Sequence, residues 1–306
     1  MSEGRFGALV SRTEFITLGT AGGPVPKLTR AQPAHAIVRG DLNILVDCGD
    51  GAMGQLMRAG IDFRNVHNII LSHHHFDHIG GLFTCLGKNM MLQRTRALHI
   101  YGPRGTKQIV DGLCMASDVS CEIGFGIPGK GLPHPREFVK VHEIAPNDSF
   151  WIEDFKISCC ENTHYRPEAE FGTEGAISLS LRFDAPDRSF AFTGDTGPCR
   201  AVVELVSKVE ILFGEVMDVE ATMDSVRKKN PHMSVDRIEA MARHIEQHHL
   251  IPEQLGELAH EAGVGQVVAV HIPLDSITQE TASKYVEQIA TRFDGPISFS
   301  EDLNRY

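Results

Sequence analysis

The densest chemistry in the chain is one short string. Leu71-Ser-His-His-His-Phe-Asp-His-Ile-Gly-Gly follows the apolar run NII and puts His73, His75, Asp77 and His78 within six positions, an H-x-H-x-D-H pattern. Imidazoles and a carboxylate crowded this closely repel or desolvate one another unless something compensates, and a divalent cation is that compensation. In an extended segment His73 and His75 point the same way, while Asp77 and His78 fall on the turn into the next helix and reach a neighbouring position. The arrangement suits two metal ions side by side. A polar loop without metal is the alternative, and three further elements weigh against it. Asn162-Thr-His164 follows the run FKISCC, Gly194-Asp195-Thr-Gly follows SFAFT, and His271 follows QVVAV. Each brings an imidazole or a carboxylate to a strand end, where α/β sheets present their active sites.

The elements that must position these groups are readable in outline. Short apolar runs predict buried strands at 14–18, 43–47, 68–72, 97–101, 155–160, 176–181, 189–193, 210–213 and 266–270. Helical spacing predicts helices near 52–59, 104–117, 200–207, 234–247, 252–262 and 278–292. Ser234 precedes a run in which Val235, Ile238, Met241, Ala242 and Ile245 recur at helical spacing, with Asp236 and Glu239 suited to a positive N-terminus. Pro252 sits at a first-turn position and Gly263 at a stop, so that helix feeds the strand that delivers His271. The class is α/β. The Gly/Pro-rich stretch 124–135 is not regular structure and reads as a surface loop, or alternatively as a lid or dimer contact.

Composition bounds what the site serves. With 42% hydrophobic and 23% charged residues in 306, the chain reads as an ordinary globular protein with a substantial core. No repeat or linker divides it, so 1–306 is expected to be one domain, with a helical cap insertion around 217–248. In that insertion Met217, Met223, Val226 and Met233 either line a pocket or fill a core. Forty acidic residues against 29 basic give −11, which weighs against a broad polyphosphate-binding surface but leaves a local basic groove open. Lys130, His134 and Arg136 around the Gly/Pro-rich loop are too few for an RNA cradle. The seven cysteines are odd in number and form no CxxC pair, so most read as small buried residues in a reduced, cytoplasmic setting. No apolar run is long enough for a membrane span, and the first residues carry charges where a signal peptide would be apolar. Neither membrane nor export is expected.

The sequence resembles the metallo-β-lactamase superfamily. The likeness rests on H-x-H-x-D-H at 73–78, His164, the GDT aspartate Asp195 and His271 in family order, together with LGTAGGP at 18–24 and LVDCGDG at 45–51. It runs from about residue 14 to about residue 274. The resemblance implies an αββα sandwich, two mixed sheets with helices outside and the metals at one edge. It also implies that His73, His75 and His164 hold a first metal, that Asp77, His78 and His271 hold a second, and that Asp195 bridges both. Five imidazoles and two carboxylates suit two Zn²⁺, with Mn²⁺ or Fe as weaker fits. Flavin-linked diiron relatives usually carry Glu at the position of His75, so a dinuclear hydrolase ranks above oxygen chemistry.

Within that superfamily the C-terminal part is similar to the ribonuclease Z and arylsulfatase branch. His249-Leu-Ile-Pro-Glu-Gln-Leu resembles the branch's His-containing helix start, and His271 follows His249 by twenty-two positions as the likeness requires. Gly214-Glu215 resembles a His-Glu-Ala segment with glycine in place of its histidine, and Leu250-Ile251 replaces small hydroxyl residues. The implied mechanism uses a metal-bridging hydroxide as nucleophile, which Asp77 helps orient. His249 is the candidate general acid and Glu215 the carboxylate that holds its ring; a surface or capping histidine and an unrelated glutamate are the alternatives, and His248 has a lesser claim. Relatives that grip tRNA commonly carry a long flexible arm between the third metal histidine and the GDT aspartate. Here that interval is 165–194, which must already supply two strands. A small-molecule substrate, anionic or neutral, is therefore ranked first: an ester, sulfate ester, lactone or phosphodiester. Ribonuclease Z-type tRNA 3′-end processing stands second, with nucleic acid disfavoured. β-Lactamase activity, iron-dependent oxidation and a non-catalytic metal-binding role rank lower, and the resemblance implies a homodimer.

Overall fold

The computed structural model of the chain describes residues 12–126, 131–274 and 278–306. The expectation about the first residues, and part of that about the loop 124–135, lie outside these residues.

Among the described residues the strands form two seven-stranded sheets. The first contains β1 (Glu14–Gly19), β2 (Ala34–Arg39), β3 (Leu42–Val46), β4 (Asn68–Ile70), β5 (Leu98–Gly102), β6 (Val139–Glu143) and β14 (Asn304–Arg305), in the order β14-β1-β2-β3-β4-β5-β6. The second contains β7 (Ser149–Ile152), β8 (Phe155–Glu161), β9 (Leu179–Asp184), β10 (Ser189–Phe192), β11 (Ile211–Glu215), β12 (Gln266–Val270) and β13 (Ile297–Phe299), in the order β13-β12-β11-β10-β9-β8-β7. Each sheet is mixed. β3 to β6 run parallel, as do β10 to β13, while β1 to β3 and β7 to β10 pair antiparallel.

Strand periodicity explains why both faces are apolar. In β3, Ile44 and Val46 enter the core between the sheets and Leu45 the outer core; in β10, Phe190 and Phe192 point inward and Ala191 outward. The Phe15 and Phe213 rings, one from each sheet, stack with centroids 3.7 Å apart and tie the layers together. Helices cover the outer faces: α1 (Ala52–Arg58), α2 (Phe76–Ile79), α3 (Leu82–Met91), α4 (Thr106–Ala116), α5 (Asp118–Ile123) and α6 (Pro135–Phe138) belong with the first sheet. α7 (Arg200–Leu205), α10 (Pro252–Ala262) and α11 (Gln279–Ala290) pack on the second. Between them, α8 (Val219–Lys229) and α9 (Val235–His248) form a small unit of their own around Met217, Met223 and Ile245. The fold is the expected α/β sandwich of two mixed sheets with helices outside.

The reading from sequence omits β2, β6, β7, β13 and β14, and α2, α3, α5 and α6, while α8 falls inside the helical cap expected around 217–248 without bounds of its own. It starts β9 three residues early, because Gly175 sits at φ +146° and Arg166 Nη2 donates to the Ala176 carbonyl before the strand begins. The chain's end closes the fold where the first turn needs support. Asp302 accepts from Thr20 N (3.0 Å), Ala31 N (2.7 Å) and Gln55 Nε2 (2.8 Å), so it anchors both ends of the segment 20–31 that rims the site.

Candidate metal centre

Every ligand candidate named from the sequence comes from the end of a strand or the turn after one. β4 runs into buried His73; the chain stays extended through His75, which precedes α2, and that one-turn helix carries Asp77 and His78. From the other sheet, His164 follows β8, Asp195 follows β10, Glu215 ends β11 and His271 follows β12. Leu179 N donates to the Ser72 carbonyl (3.0 Å), which stitches the two sheets together beside the ligands. Gly194 is needed there: its φ is +59°, and a Cβ would stand 2.9 Å from the Leu179 carbonyl.

Asp195 lies at the centre. Its Oδ2 faces His271 Nε2 (3.2 Å), His164 Nε2 (3.8 Å) and His73 Nε2 (4.0 Å), and its Oδ1 faces His78 Nε2 (3.4 Å). Asp77 Oδ2 stands 3.6 Å from His271 Nε2 and 3.7 Å from His78 Nε2. The donor atoms of His73, His75, His164 and Asp195 fall within 4.8 Å of one another, and so do those of Asp77, His78 and His271. All seven sequence-named ligand candidates are thus gathered in two adjoining groups, with Asp195 next to both.

The donor set fits divalent metal ions. Buried His73 Nε2, His78 Nε2, both ring nitrogens of His271 and Asp195 Oδ1 have no hydrogen-bond partner. Each such orphan costs about 1–3 kcal/mol unless something binds it. His75 Nδ1 and His164 Nε2 sit 2.8 Å apart, a separation that needs a proton or a cation near both. Burial, helped by neighbouring imidazoles, pushes His73 well below the usual histidine range; burial also takes His164 down to about 3, so both rings are neutral, as a metal ligand must be.

Outer partners fix which nitrogen faces inward. His78 Nδ1 donates to Asp47 Oδ2 (2.7 Å); the same carboxylate accepts from Ser72 N (2.8 Å) and Ser72 Oγ (2.9 Å). Ser72 Oγ then accepts from His73 Nδ1 (3.0 Å), and the His248 carbonyl from His164 Nδ1 (3.1 Å). In all three histidines the Nε2 is left for the centre. Asp47 (φ 56°) and His271 (φ 53°) both hold positive φ at this site. Asp47 and Ser72 escape the reading from sequence as site residues, although the segment LVDCGDG contains the first and the metal string the second.

His249 and Glu215 form the second pair. His249 ends α9 and lines the cavity above the ligands, and its Nδ1 donates to Glu215 Oε2 at 2.7 Å. Glu215 is fully buried, and its Oε1 accepts from Thr196 N. Burial opposes protonation of His249, but the adjoining Glu215 carboxylate outweighs it and raises the imidazole to about 9. His248 instead bonds the Thr163 carbonyl through Nδ1 (2.6 Å), a clasp that seats the end of α9. The glycine in place of the expected histidine has a packing cause: a Cβ on Gly214 would stand 2.3 Å from Leu255 Cδ1 of α10. Of the four apolar residues of the insertion, Met217 and Val226 line the cavity, Met223 is buried in the cluster of α8 and α9, and Met233 is in neither.

A family model described as the beta-lactamase superfamily domain matches residues 42–272, which includes all seven gathered ligand candidates. The chain belongs to the metallo-β-lactamase superfamily. Like that superfamily's enzymes it is a metal-dependent hydrolase. Its sequence is 29% identical over 297 residues to a ribonuclease Z of Mycobacterium sp. (strain KMS), with 95% of each chain covered. Among solved structures, a metallo-beta-lactamase fold protein from Bacillus subtilis superposes with TM-score 0.67 at 17% identity, covering 96% of this chain and 98% of that one. The short form of human tRNase Z superposes with TM-score 0.65 at 19% identity, covering 96% and 98%. These comparisons reverse the order of the two leading expectations. The ribonuclease Z reading has the better support, and the short interval 165–194 does not weigh against it, because a ribonuclease Z of matching length aligns over 95% of both chains. Among the described residues no helix is long and apolar enough to cross a membrane, and all seven cysteines are free and buried.

Proposed function

We propose that this chain is a dinuclear phosphodiesterase of the ribonuclease Z type that cleaves RNA, with precursor tRNA as its first candidate substrate. The observation that carries the reading is the end-to-end similarity to ribonucleases Z in a chain with a complete donor set around Asp195. His73, His75 and His164 would hold one ion, Asp77, His78 and His271 the other, and Asp195 would touch both. The preference for imidazole over carboxylate makes zinc the proposed metal, ahead of manganese and iron. Bound there, two divalent ions supply Lewis acidity that activates a water near neutral pH and offsets charge on the phosphoryl oxygens.

The chain's own residues supply the rest. His249 is protonated at neutral pH because Glu215 holds it so, and with Nδ1 engaged it has Nε2 to give a proton to the leaving ribose oxygen. Glu215 also lies 3.7 Å from His271 Nδ1, so one carboxylate sets its charge beside both the acid and a ligand. Asp77, the carboxylate on α2 that lines the cavity, orients the attacking water.

The test is a parallel assay of zinc-loaded protein on precursor tRNA, a bis-aryl phosphodiester, an aryl sulfate, a lactone and a β-lactam, with His73→Ala as the control for contaminants. Cleavage of the RNA and the diester well above the others is expected. Faster turnover of the sulfate or the lactone would overturn the reading.

A further inference from the structure

The cavity over the metal centre has a volume of about 690 Å³, within the range of small-molecule sites. Its floor carries Asp77, Asp195, His249 and His271; much of its remaining wall is apolar, including Val25, Met217, Val226 and Met241. One side chain on that wall stands apart. Phe76 lies between the ligand candidates His75 and Asp77 and is 77% exposed, although position 76 opens a one-turn helix where a polar residue would serve the backbone equally well. An exposed aromatic there costs hydration free energy that burial against a ligand would recover. Its ring is not loose. It lies over Gly80, where an added Cβ would stand 3.3 Å from the ring's Cε1, and the Phe76 carbonyl accepts from Gly80 N at 2.7 Å.

We propose that Phe76 is a stacking platform for the nucleobase next to the scissile phosphodiester, and so a specificity-determining residue of this site. The inference rests on the RNA reading above. In a nucleic acid every phosphodiester has a base on each side, and a flat aromatic beside the reacting centre engages any base through its π-face without reading sequence. An aliphatic sulfate ester or lactone has no flat ring for such a platform to engage.

The kinetic test uses a zinc-loaded enzyme and an RNA substrate, with two analogues that carry an abasic ribose on one or the other side of the scissile bond. Phe76→Ala should raise KM for the intact RNA about tenfold while kcat stays within about twofold, in line with one lost stack. Phe76→Trp should restore the KM. One of the two abasic analogues should be indifferent to Phe76→Ala, because its stack is already gone; equal losses on all three substrates would overturn the proposal.

A binding test needs no turnover. The only tryptophan in the chain is Trp151, so Phe76→Trp in a Trp151→Phe background carries a single reporter at the site. Adenosine monophosphate should quench it saturably and ribose 5-phosphate should not. Quenching without RNA cleavage would leave the platform standing and sink the RNA reading; RNA cleavage with neither quenching nor a KM effect would do the reverse.

Discussion

His73, His78, Asp47 and Glu215 are fully buried at strand ends or the turn after one, each tied to a second buried group, whereas the two helices over them bury only Met223 and Ile245 from their own length. The ligand shelf stands on the inter-sheet core that includes Phe15, Phe190 and Phe213. The roof of α8 and α9 stands on a cluster of three buried residues, with Tyr285 Oη reaching Asp218 from α11 as an outside tie. The contrast separates two requirements. Ligand atoms must be fixed closely for a metal to bind in one geometry, while a wall that would admit the proposed RNA must yield. On the RNA reading the chemistry belongs to the rigid part, and the soft one adds to a choice of substrate that Phe76 begins beside the ligands.

The largest effect that tests this division comes from the centre of the shelf. Asp195→Ala removes the one group that faces four imidazoles of both clusters, so metal content should fall at both sites. Turnover should drop by more than the roughly 10–100-fold typical of changes to outer partners. Full metal occupancy with normal turnover would refute the bridging assignment. His249→Ala comes next, at the seam between roof and shelf. It should cut kcat about a hundredfold on RNA, whose leaving group needs a proton, and far less on a bis-nitrophenyl diester, with bound metal unchanged. Equal losses on both substrates would mean that His249 positions the site rather than supplying a proton.

The roof should respond in another currency. Met223→Ala empties part of its small cluster, a change that costs about 2–5 kcal/mol in a well-packed core. If the roof is a separate unit, the loss stays local: faster amide exchange in α8 and α9 and a severalfold higher KM, with metal content and the main unfolding transition unchanged. A fall in the main transition without a change in KM would show that roof and shelf unfold as one.

The same division explains what was legible in the sequence. His73, His75, Asp77 and His78 stand out because one strand end and one helical turn place them together, so their crowding appears in linear order. His164, Asp195 and His271 are recognisable because each follows an apolar run. Asp47 and Ser72 bear on the site only through contacts that the fold creates: Asp47 bonds His78 across thirty-one positions, a pairing that no local pattern contains. The strand β2 is masked for a different reason. Its sequence AHAIVR is buried on both faces at Ala34, His35, Ala36 and Ile37, so it shows no alternation and carries an imidazole that reads as polar. β14 is two residues long and exists only by pairing with β1. The helix α8 has a single buried residue, and so little amphipathic signal marked it as more than part of an insertion.

His35 turns this last point into the smallest effect, one confined to the rigid part. Its ring packs against Phe15 and Phe192 beneath the shelf, and its Nδ1 has no partner. Burial lowers its pKa to about 3, and the facing imidazoles of His78 and His271 push the same way, as bound cations would. In the unfolded chain the group titrates near 6.5. Above that value neither state holds the proton and the ring adds no pH dependence. As pH falls below it the unfolded state takes up a proton that the folded state refuses, so stability is lost at up to about 1.4 kcal/mol per pH unit until the folded value near 3 is reached. His35→Leu removes that uptake while filling a similar space. Denaturant melts at matched metal concentration should therefore show a shallower loss of stability between pH 7 and pH 5 in the variant than in the parent. Parallel acid limbs would mean that His35 is already protonated in the folded core, and that the foundation of the shelf is more polar than its apolar contacts imply.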